Sequence, residues 1–598
     1  MASDAIELTL LRQALEAVVD EMALGLMHAA YSPNMKNSLD LATALCDAEG
    51  ELITQSLTLP VHLGSIPHAL AAVRAAFPDG GAPGDVFILN DPYEGGTHLP
   101  DIFLVAPVFS PSSALPAKPA TLAGYAVAVA HHTDIGGRVA GGNACDSTEI
   151  YQEGLRLPPL KLYDRGQPNQ ALFRVIERNV RVPRMVLGDL RAQLAACHIG
   201  QQGLQALIAR YGLERLQAQA RALVDYGERF ARAQLAALPD GTYRFEDYLD
   251  DDGIDPAPIP IRVAVTVAGD TLTADFTGSA PQVQGAINCP LPFTRSVVYA
   301  GVRCLLSQDL PNNGGYFRPI QVVAPEGTIV NPLPPAPVAA RGLTGFRIAN
   351  ALFGALAQLA PDRVPACESG GDTGISIGSY DAARRPFVFL EFLHASWGGR
   401  PDRDGIDGSA SIVVNFSNTP IELVEAHYPL RIAQYGFLPD SGGPGRYRGG
   451  LGLIKDYCFL AQRGILQVRA DRQRFAPYGL AGGGPGARGA SYLRRREQGQ
   501  EPDARDHWQP LPSKTLLHLR AGDVFRHILA GAGGWGDPFT RDPALVLADV
   551  RNGKVTPEHA RAAYGVAIRV GAGGCLEVDE DETRRLRSVP SPSGTGQG

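Results

Sequence analysis

Two strings constrain this chain most. The first is Asp91-Pro-Tyr-Glu-Gly-Gly-Thr-His98-Leu-Pro-Asp101. The second, about thirty residues on, is His131-His132-Thr-Asp134-Ile-Gly-Gly137. Imidazoles and carboxylates here flank two apolar runs, Ile102–Phe109 and Gly124–Ala130, that read as neighbouring strands. Charged groups near a core are costly unless paired or bound to a metal. The fold must therefore bring these strand ends together around a ligand. Nitrogen and oxygen donors without a thiolate suit one divalent ion, zinc, manganese or iron. Pro100 resists regular structure, so His98 and Asp101 belong to a tight turn, and Gly136-Gly137 marks where the strand carrying His131 has ended. Asp40, from an earlier strand, would complete a His2Asp2 shell with a position left for water. A bound ion lowers the pKa of such a water from 15.7 toward roughly 7. Any one of these residues alone reads as a turn residue; the set together reads as a metal site. His62, His68 and His132 are weaker candidates, and strand alternation points His132 away from His131. Asp134 reads as a group orienting His131 or as a turn residue.

Composition narrows the function classes. The chain has 598 residues, enough for two to four domains. Its net charge of −8, with no long basic run, speaks against nucleic acid or an anionic membrane as partner. Eight cysteines lie scattered with no C-x-x-C pair, so zinc-ribbon and thioredoxin readings fail and buried reduced thiols are expected. The N-terminus shows no basic region followed by an apolar one, and no run of about 18 apolar residues occurs; a cytoplasmic protein is expected.

Periodicity places the elements. Residues 4–29 read as an amphipathic helix, with Asp4 and Glu7 at capping-box spacing. Two strands join at Asp47-Ala-Glu-Gly50, and 66–77 reads as a helix. Strands follow at 86–89, 102–109 and 124–130, the last two separated by a Ser/Pro-rich loop from Ser110 to Thr121. Residues 169–238 read as several helices, and 259–276 as a hairpin turning at Ala268-Gly-Asp270. A helix is expected over 343–360, short strands between Gly-rich turns over 408–535 with a charged loop from Arg494 to Asp506, and helix again over 542–564.

Asp134 and Glu149 are the candidate catalytic residues. Ser147, Glu149, Glu153 and Arg156, in the polar run Asp146–Arg156, are candidates to line a substrate pocket. Glu368-Ser-Gly-Gly-Asp372 and Trp397-Gly-Gly-Arg400-Pro-Asp402 could bring backbone close to a ligand. The Gly clusters at 442–445, 482–486 and 531–536 do not form a G-x-x-x-x-G-K-[ST] loop, and no H-E-x-x-H occurs.

These residues also carry a resemblance. Asn90–Asp101, Ala130–Gly137, Asp146–Gly154, Asn288-Cys-Pro, Asn415-Phe-Ser-Asn-Thr-Pro420, Tyr447–Gly452 and Gly533–Pro538 closely resemble the hydantoinase B/oxoprolinase family, with matches from about residue 4 to 565. The resemblance implies a B-type subunit working with an A-type partner of actin/hexokinase-like fold. That partner binds ATP and phosphorylates the substrate carbonyl, and the B-type chain holds the metal. The family's ligands carry over to His98, Asp101 and His131, and less securely to Asp40. The Gly-Gly-Thr-His-Leu-Pro-Asp string is nearer the hydantoinase/oxoprolinase pattern than that of the carboxylases, which implies hydrolysis. Gly142-Asn-Ala-Cys145 departs from the family's usual Ser/Met/Pro-containing stretch and leaves the substrate open.

The expectation is thus a multi-domain α+β chain. Its parts are a metal-binding region (1–165), a helical segment (166–240), a mixed α/β domain (241–405), a β-rich domain (406–565) and a largely disordered tail (566–598). Its function is the metal-bearing part of an ATP-dependent amidohydrolase, in a hetero-oligomer, opening a hydantoin, oxoproline or lactam. The alternatives are the metal-bearing subunit of an ATP-dependent ketone carboxylase, and a scaffold whose metal only holds the fold. For the scaffold, His98→Ala would abolish folding together with activity.

Overall fold

A computed structural model describes residues 2–56, 59–62, 64–110, 120–142, 144–394, 396–496 and 508–588. It is a mixed α+β chain with several sheets. The parts expected as a Ser/Pro loop (111–119), a charged loop (497–507) and a tail (589–598) lie outside the described residues.

The first sheet has seven antiparallel strands in the order β2-β1-β5-β4-β3-β6-β7. They are β1 (Leu41–Asp47), β2 (Leu52–Gln55), β3 (Val86–Leu89), β4 (Asp101–Phe109), β5 (Leu122–His131), β6 (Leu160–Asp164) and β7 (Gln167–Pro168). Side chains alternate between its faces. Ile102, Leu104, Ala106 and Val108 join a core with helices Ala2–Ala29 and Pro183–Tyr211, while Phe103, Val105, Val127 and Val129 pack under helix Ser65–Ala76. Both faces are covered, which is why these strands read as apolar runs rather than as clean alternation.

Helix Ala2–Ala29 buries Leu11, Leu15, Val19, Met22 and Leu26 completely, the expected stripe. It begins before Asp4, and Glu7 binds Arg215 at 2.7 Å. The helices Gln170–Asn179, Pro183–Tyr211 and Leu213–Leu235 share the core of the first sheet. The expected division between 1–165 and 166–240 thus runs through what packs around one core.

The hairpin of Ile259–Ala268 and Thr271–Asp275, with Gly241–Leu249 and Ile320–Val323, makes a second sheet under helix Arg341–Leu359. A third sheet pairs Thr373–Tyr380 with Pro386–Leu393 on one side and Arg463–Arg469 on the other. The expected boundary at 405 therefore cuts through a sheet. Periodicity records strands but not which distant strand they pair with. The three Gly clusters lie against one another: Gly484 N donates to Pro444 O at 2.7 Å and Gly534 N to Gly484 O at 2.9 Å. A Cβ on Gly443 would stand 2.4 Å from Gly534 N, so this packing needs glycine.

Residues 566–588, expected as disordered tail, are folded. Strands Ile568–Val570 and Leu576–Val578 pair, helix Glu580–Arg587 follows, and they pack with helices Pro543–Arg551 and Pro557–Tyr564. The apolar residues there are few and spaced by Gly and charge, too weak a pattern to read unaided. Among the described residues no helix is long and apolar enough to cross a membrane.

Candidate metal centre

The register of the first sheet builds the site. Asp101, first residue of β4, stands opposite His131, last residue of β5. Asp40 precedes β1, whose Leu41 pairs with Ala130, and its carbonyl accepts His131 N at 3.1 Å. Three strands thus end on one edge. His98 reaches the same edge from the turn before β4, where Asp101 N donates to His98 O at 3.0 Å.

His98, Asp101 and His131 are buried, and one donor atom from each lies within 4.8 Å of the other two. His98 Nε2 is 3.2 Å from Asp101 Oδ1. His98 Nε2, Asp101 Oδ1 and His131 Nε2 have no hydrogen-bond partner among the described residues. Their other atoms are engaged. His98 Nδ1 meets Ala339 O at 2.9 Å, a bond it makes as donor, which fixes the tautomer with a lone pair on Nε2. Asn34 lies 3.4 Å from His131 Nδ1 and donates to His131 O at 3.0 Å. Asp101 Oδ2 accepts from Thr97 and Arg341. Burial lowers the pKa of His98 and takes that of His131 to about 4, so both rings are neutral at pH 7. Burial opposes ionisation of Asp101, whereas the guanidinium of Arg341 on Oδ2 favours it, and the carboxyl lies well below the ordinary range. Three buried lone pairs facing one another repel unless a cation lies between them. Two neutral imidazoles and one carboxylate fit a divalent ion.

A cavity opens on the trio. Phe293, Phe346, Phe392 and Phe416 supply apolar walls; Asp40, His62, Arg341, Asp372 and Arg469 supply polar ones. Phe392 meets the His131 ring edge-on at 5.4 Å.

The sequence candidates divide. Asp40 lines the cavity beside them: its Oδ2 takes Asn34 Nδ2 at 3.4 Å, its Oδ1 lies 3.9 Å from His62, and its charge acts on His131. His68 is taken by Gly64 and Arg295, and His132 points away to Gln193 at 2.8 Å, as alternation requires. Asp134 does not orient His131: it receives the backbone N–H and guanidinium of Arg181. Glu149 is exposed, Ser147 meets Arg138 at 3.4 Å, and Arg156 binds Asp91 at 2.7 Å; none of these lines the cavity. Glu153 does not line it either, but its Oε1 accepts from Val338 N and Ala339 N, holding the segment whose carbonyl orients His98. This polar run follows the ligands in sequence yet turns outward after the Gly136-Gly137 break.

Arg341, Arg469, Phe392 and Phe416 were not legible as site residues, because each arrives from a distant element. Asp372 lay in a Gly-rich string expected to approach a ligand, but the close approach there is to protein. Gly371 has φ +96°, and a Cβ on it would meet Phe346 Cγ at 2.1 Å.

Fold and site together define an α+β protein with a buried His-Asp-His centre of metal-ligand type. The family model of hydantoinase B/oxoprolinase matches residues 4–538. The chain belongs to that family. It is 35% identical, over 98% of both chains, to a protein of Pseudomonas sp. (strain NS671) provisionally named as the B-type subunit of a D-/L-hydantoinase. It is 34% identical to the caprolactamase β subunit of Pseudomonas jessenii, covering 98% of this chain and 99% of that one. The crystal structure of that ATP-dependent caprolactamase superposes with a TM-score of 0.88 over 98% of this chain and 99% of its own. Acetone carboxylase in its nucleotide-free structure shares the fold at 21% identity, with a TM-score of 0.86 over 98% of this chain and 82% of its own.

Proposed function

We propose that this chain is the metal-bearing B-type subunit of an ATP-dependent enzyme that opens a cyclic amide such as hydantoin, 5-oxoproline or a lactam. Its A-type partner, of actin/hexokinase-like fold, binds the ATP and phosphorylates the amide oxygen. The observation that carries this reading is the set of three unpartnered donor atoms, on His98, Asp101 and His131, buried where a cavity opens on them. The relatives named as subunits of a hydantoinase and a caprolactamase point to the same reaction class.

A divalent ion in this trio would activate water and polarise a carbonyl or phosphoryl oxygen. The protein's own groups do the rest. Arg341 keeps Asp101 ionised. The four phenylalanines exclude bulk water, which strengthens every charge interaction inside. Arg341 and Arg469, with the N-terminus of helix Arg341–Leu359 at the cavity wall, offer positive charge to a phosphorylated substrate.

The test begins with metal content of the purified chain by elemental mass spectrometry, beside His98→Ala/His131→Ala. Near one equivalent of zinc, manganese or iron is expected in the wild type, and none in a double variant that keeps its circular dichroism. The complex with the A-type subunit and ATP is then offered hydantoin, 5-oxoproline and caprolactam, with ADP and ring-opened acid measured. A parallel arm with acetone and bicarbonate reads the carboxylase alternative: a β-keto acid there, and no ring opening, would overturn the hydrolytic reading.

A further inference from the structure

Asp372 and His394 close one end of a strand pair. Asp372 precedes Thr373–Tyr380 and His394 follows Pro386–Leu393, whose terminal register pair is Thr373 with Leu393. Their side chains meet at 2.5 Å, Nδ1 to Oδ1, and are 2% and 1% exposed for His394 and Asp372. Asp372 Oδ2 and His394 Nε2 have no hydrogen-bond partner among the described residues. The two residues line different spaces. Asp372 lines the cavity of the His-Asp-His trio, whereas His394 lines a second hollow of about 600 Å³. Val414 and Phe416 line both, so the pair sits in the partition between them. His394 is held firmly: Asn418 Oδ1 accepts its N–H at 3.1 Å, Asn418 Nδ2 donates to its carbonyl at 3.3 Å, and Phe416 flanks the ring at 5.3 Å.

We propose that Asp372–His394 is the proton-transfer pair of the ring-opening reaction, with Asp372 meeting the reacting atoms and His394 linking it to the outer hollow. This rests on the cyclic-amide reading above. A buried carboxylate and imidazole in contact, each with an atom left over, have the groups that general acid–base chemistry uses. The chemistry needs one. When water adds to the phosphorylated imidate carbon, a C–O bond forms and the C=N π pair moves to nitrogen. When the C–N bond then breaks, its electrons also go to nitrogen. Both protons of the water end on that nitrogen, giving an amine and an acyl phosphate, and both pass through the pair, which finishes as it began. A second water then releases phosphate from the acyl group. The charged and titratable groups facing the pair are Glu368 on its own loop, Arg469 on the neighbouring strand, and across the cavity Arg341, Asp40, His62 and the trio. Tyr435 faces it from the outer hollow.

The experiment uses the full chain with its A-type subunit, ATP and whichever of hydantoin, 5-oxoproline or caprolactam the wild type opens. Asp372→Asn and His394→Ala are each expected to lower kcat by about 10²–10⁴-fold in variants that keep their metal content and circular dichroism. Added imidazole, admitted through the outer hollow, restores His394→Ala but not Asp372→Asn, and the rescued rate follows the pKa of substituted imidazoles. Wild-type kcat in His394→Ala, or a loss that imidazole does not repair in a folded, metal-loaded variant, would overturn the pair's role alone. A metal-loaded wild-type complex that opens none of the three rings would overturn the cyclic-amide reading, and the pair's role with it.

Discussion

Asp101 meets two demands at once: Oδ1 faces His98 while Oδ2 takes hydrogen bonds from Thr97 and Arg341. Arg341 is itself buried, with its guanidinium over Phe293 at 3.9 Å. Removing it strands a buried carboxylate. Arg341→Met is expected to cost about 3–5 kcal/mol in the metal-free protein, read from denaturant midpoints, while added metal recovers part of that loss by supplying a counter-charge. The histidines set the pH dependence. His131 has its pKa lowered from 6.5 to about 4, and His527, buried between Thr373 and Ser491, from 6.5 to about 3. The unfolded chain therefore binds more protons than the folded one between these values and 6.5. Stability of the metal-free protein is full above about pH 6.5 and falls as pH drops toward 4 and then 3, by at most about 1.4 kcal/mol per pH unit for each group. His527→Gln flattens that curve; an unchanged curve would show that His527 takes up its proton without loss. At this scale the trio was legible because its members sit on neighbouring strand ends close in sequence. The partner of Asp134 was not legible, because an Asp near a metal-type histidine and an Asp receiving an arginine look alike in one dimension.

At the scale of elements, the segment 336–340 matters as much as the strands. Ala339 O orients His98, and Glu153 fastens that segment through two backbone N–H groups. Burial pushes the Glu153 carboxyl well up, so the side chain serves as an acceptor rather than as a charge. Glu153→Ala is expected to weaken metal affinity about 10–100-fold and Glu153→Gln only slightly, as measured by competition with a metal chelator. Equal effects from both would show that charge, not hydrogen bonding, is what the segment needs. The strands and long helices were readable from periodicity because each is buried on a definite face. The role of segment 336–340 was not, since a loop tied by one distant glutamate leaves no local pattern.

On the scale of the whole molecule, the cavity joins three cores. The trio comes from the first sheet, Phe293 and Arg341 from helices packed on the second sheet, and Asp372, Phe392 and Arg469 from the third. A ligand bound there stabilises all of them together. Zinc or manganese at 100 times its Kd is expected to add about 2.7 kcal/mol, raising Tm in one cooperative step by calorimetry and leaving His98→Ala/His131→Ala unmoved. Two separated transitions, with only one shifting, would mean the units unfold independently. The α+β class and the order of elements could be read from the sequence. The joining of units across residues 165 and 405 could not, because strand pairing over long loops is decided by tertiary contact.

The order in which the site's parts lie along the chain has a consequence for biosynthesis. A ribosome that has released the chain through His131 has made all three donors of the trio. None of the roof exists yet, since Phe293, Arg341, Asp372 and Arg469 all come later. In a nascent chain the donors therefore precede the walls that enclose them, and a cation that met them at that stage would be enclosed by chain made afterwards.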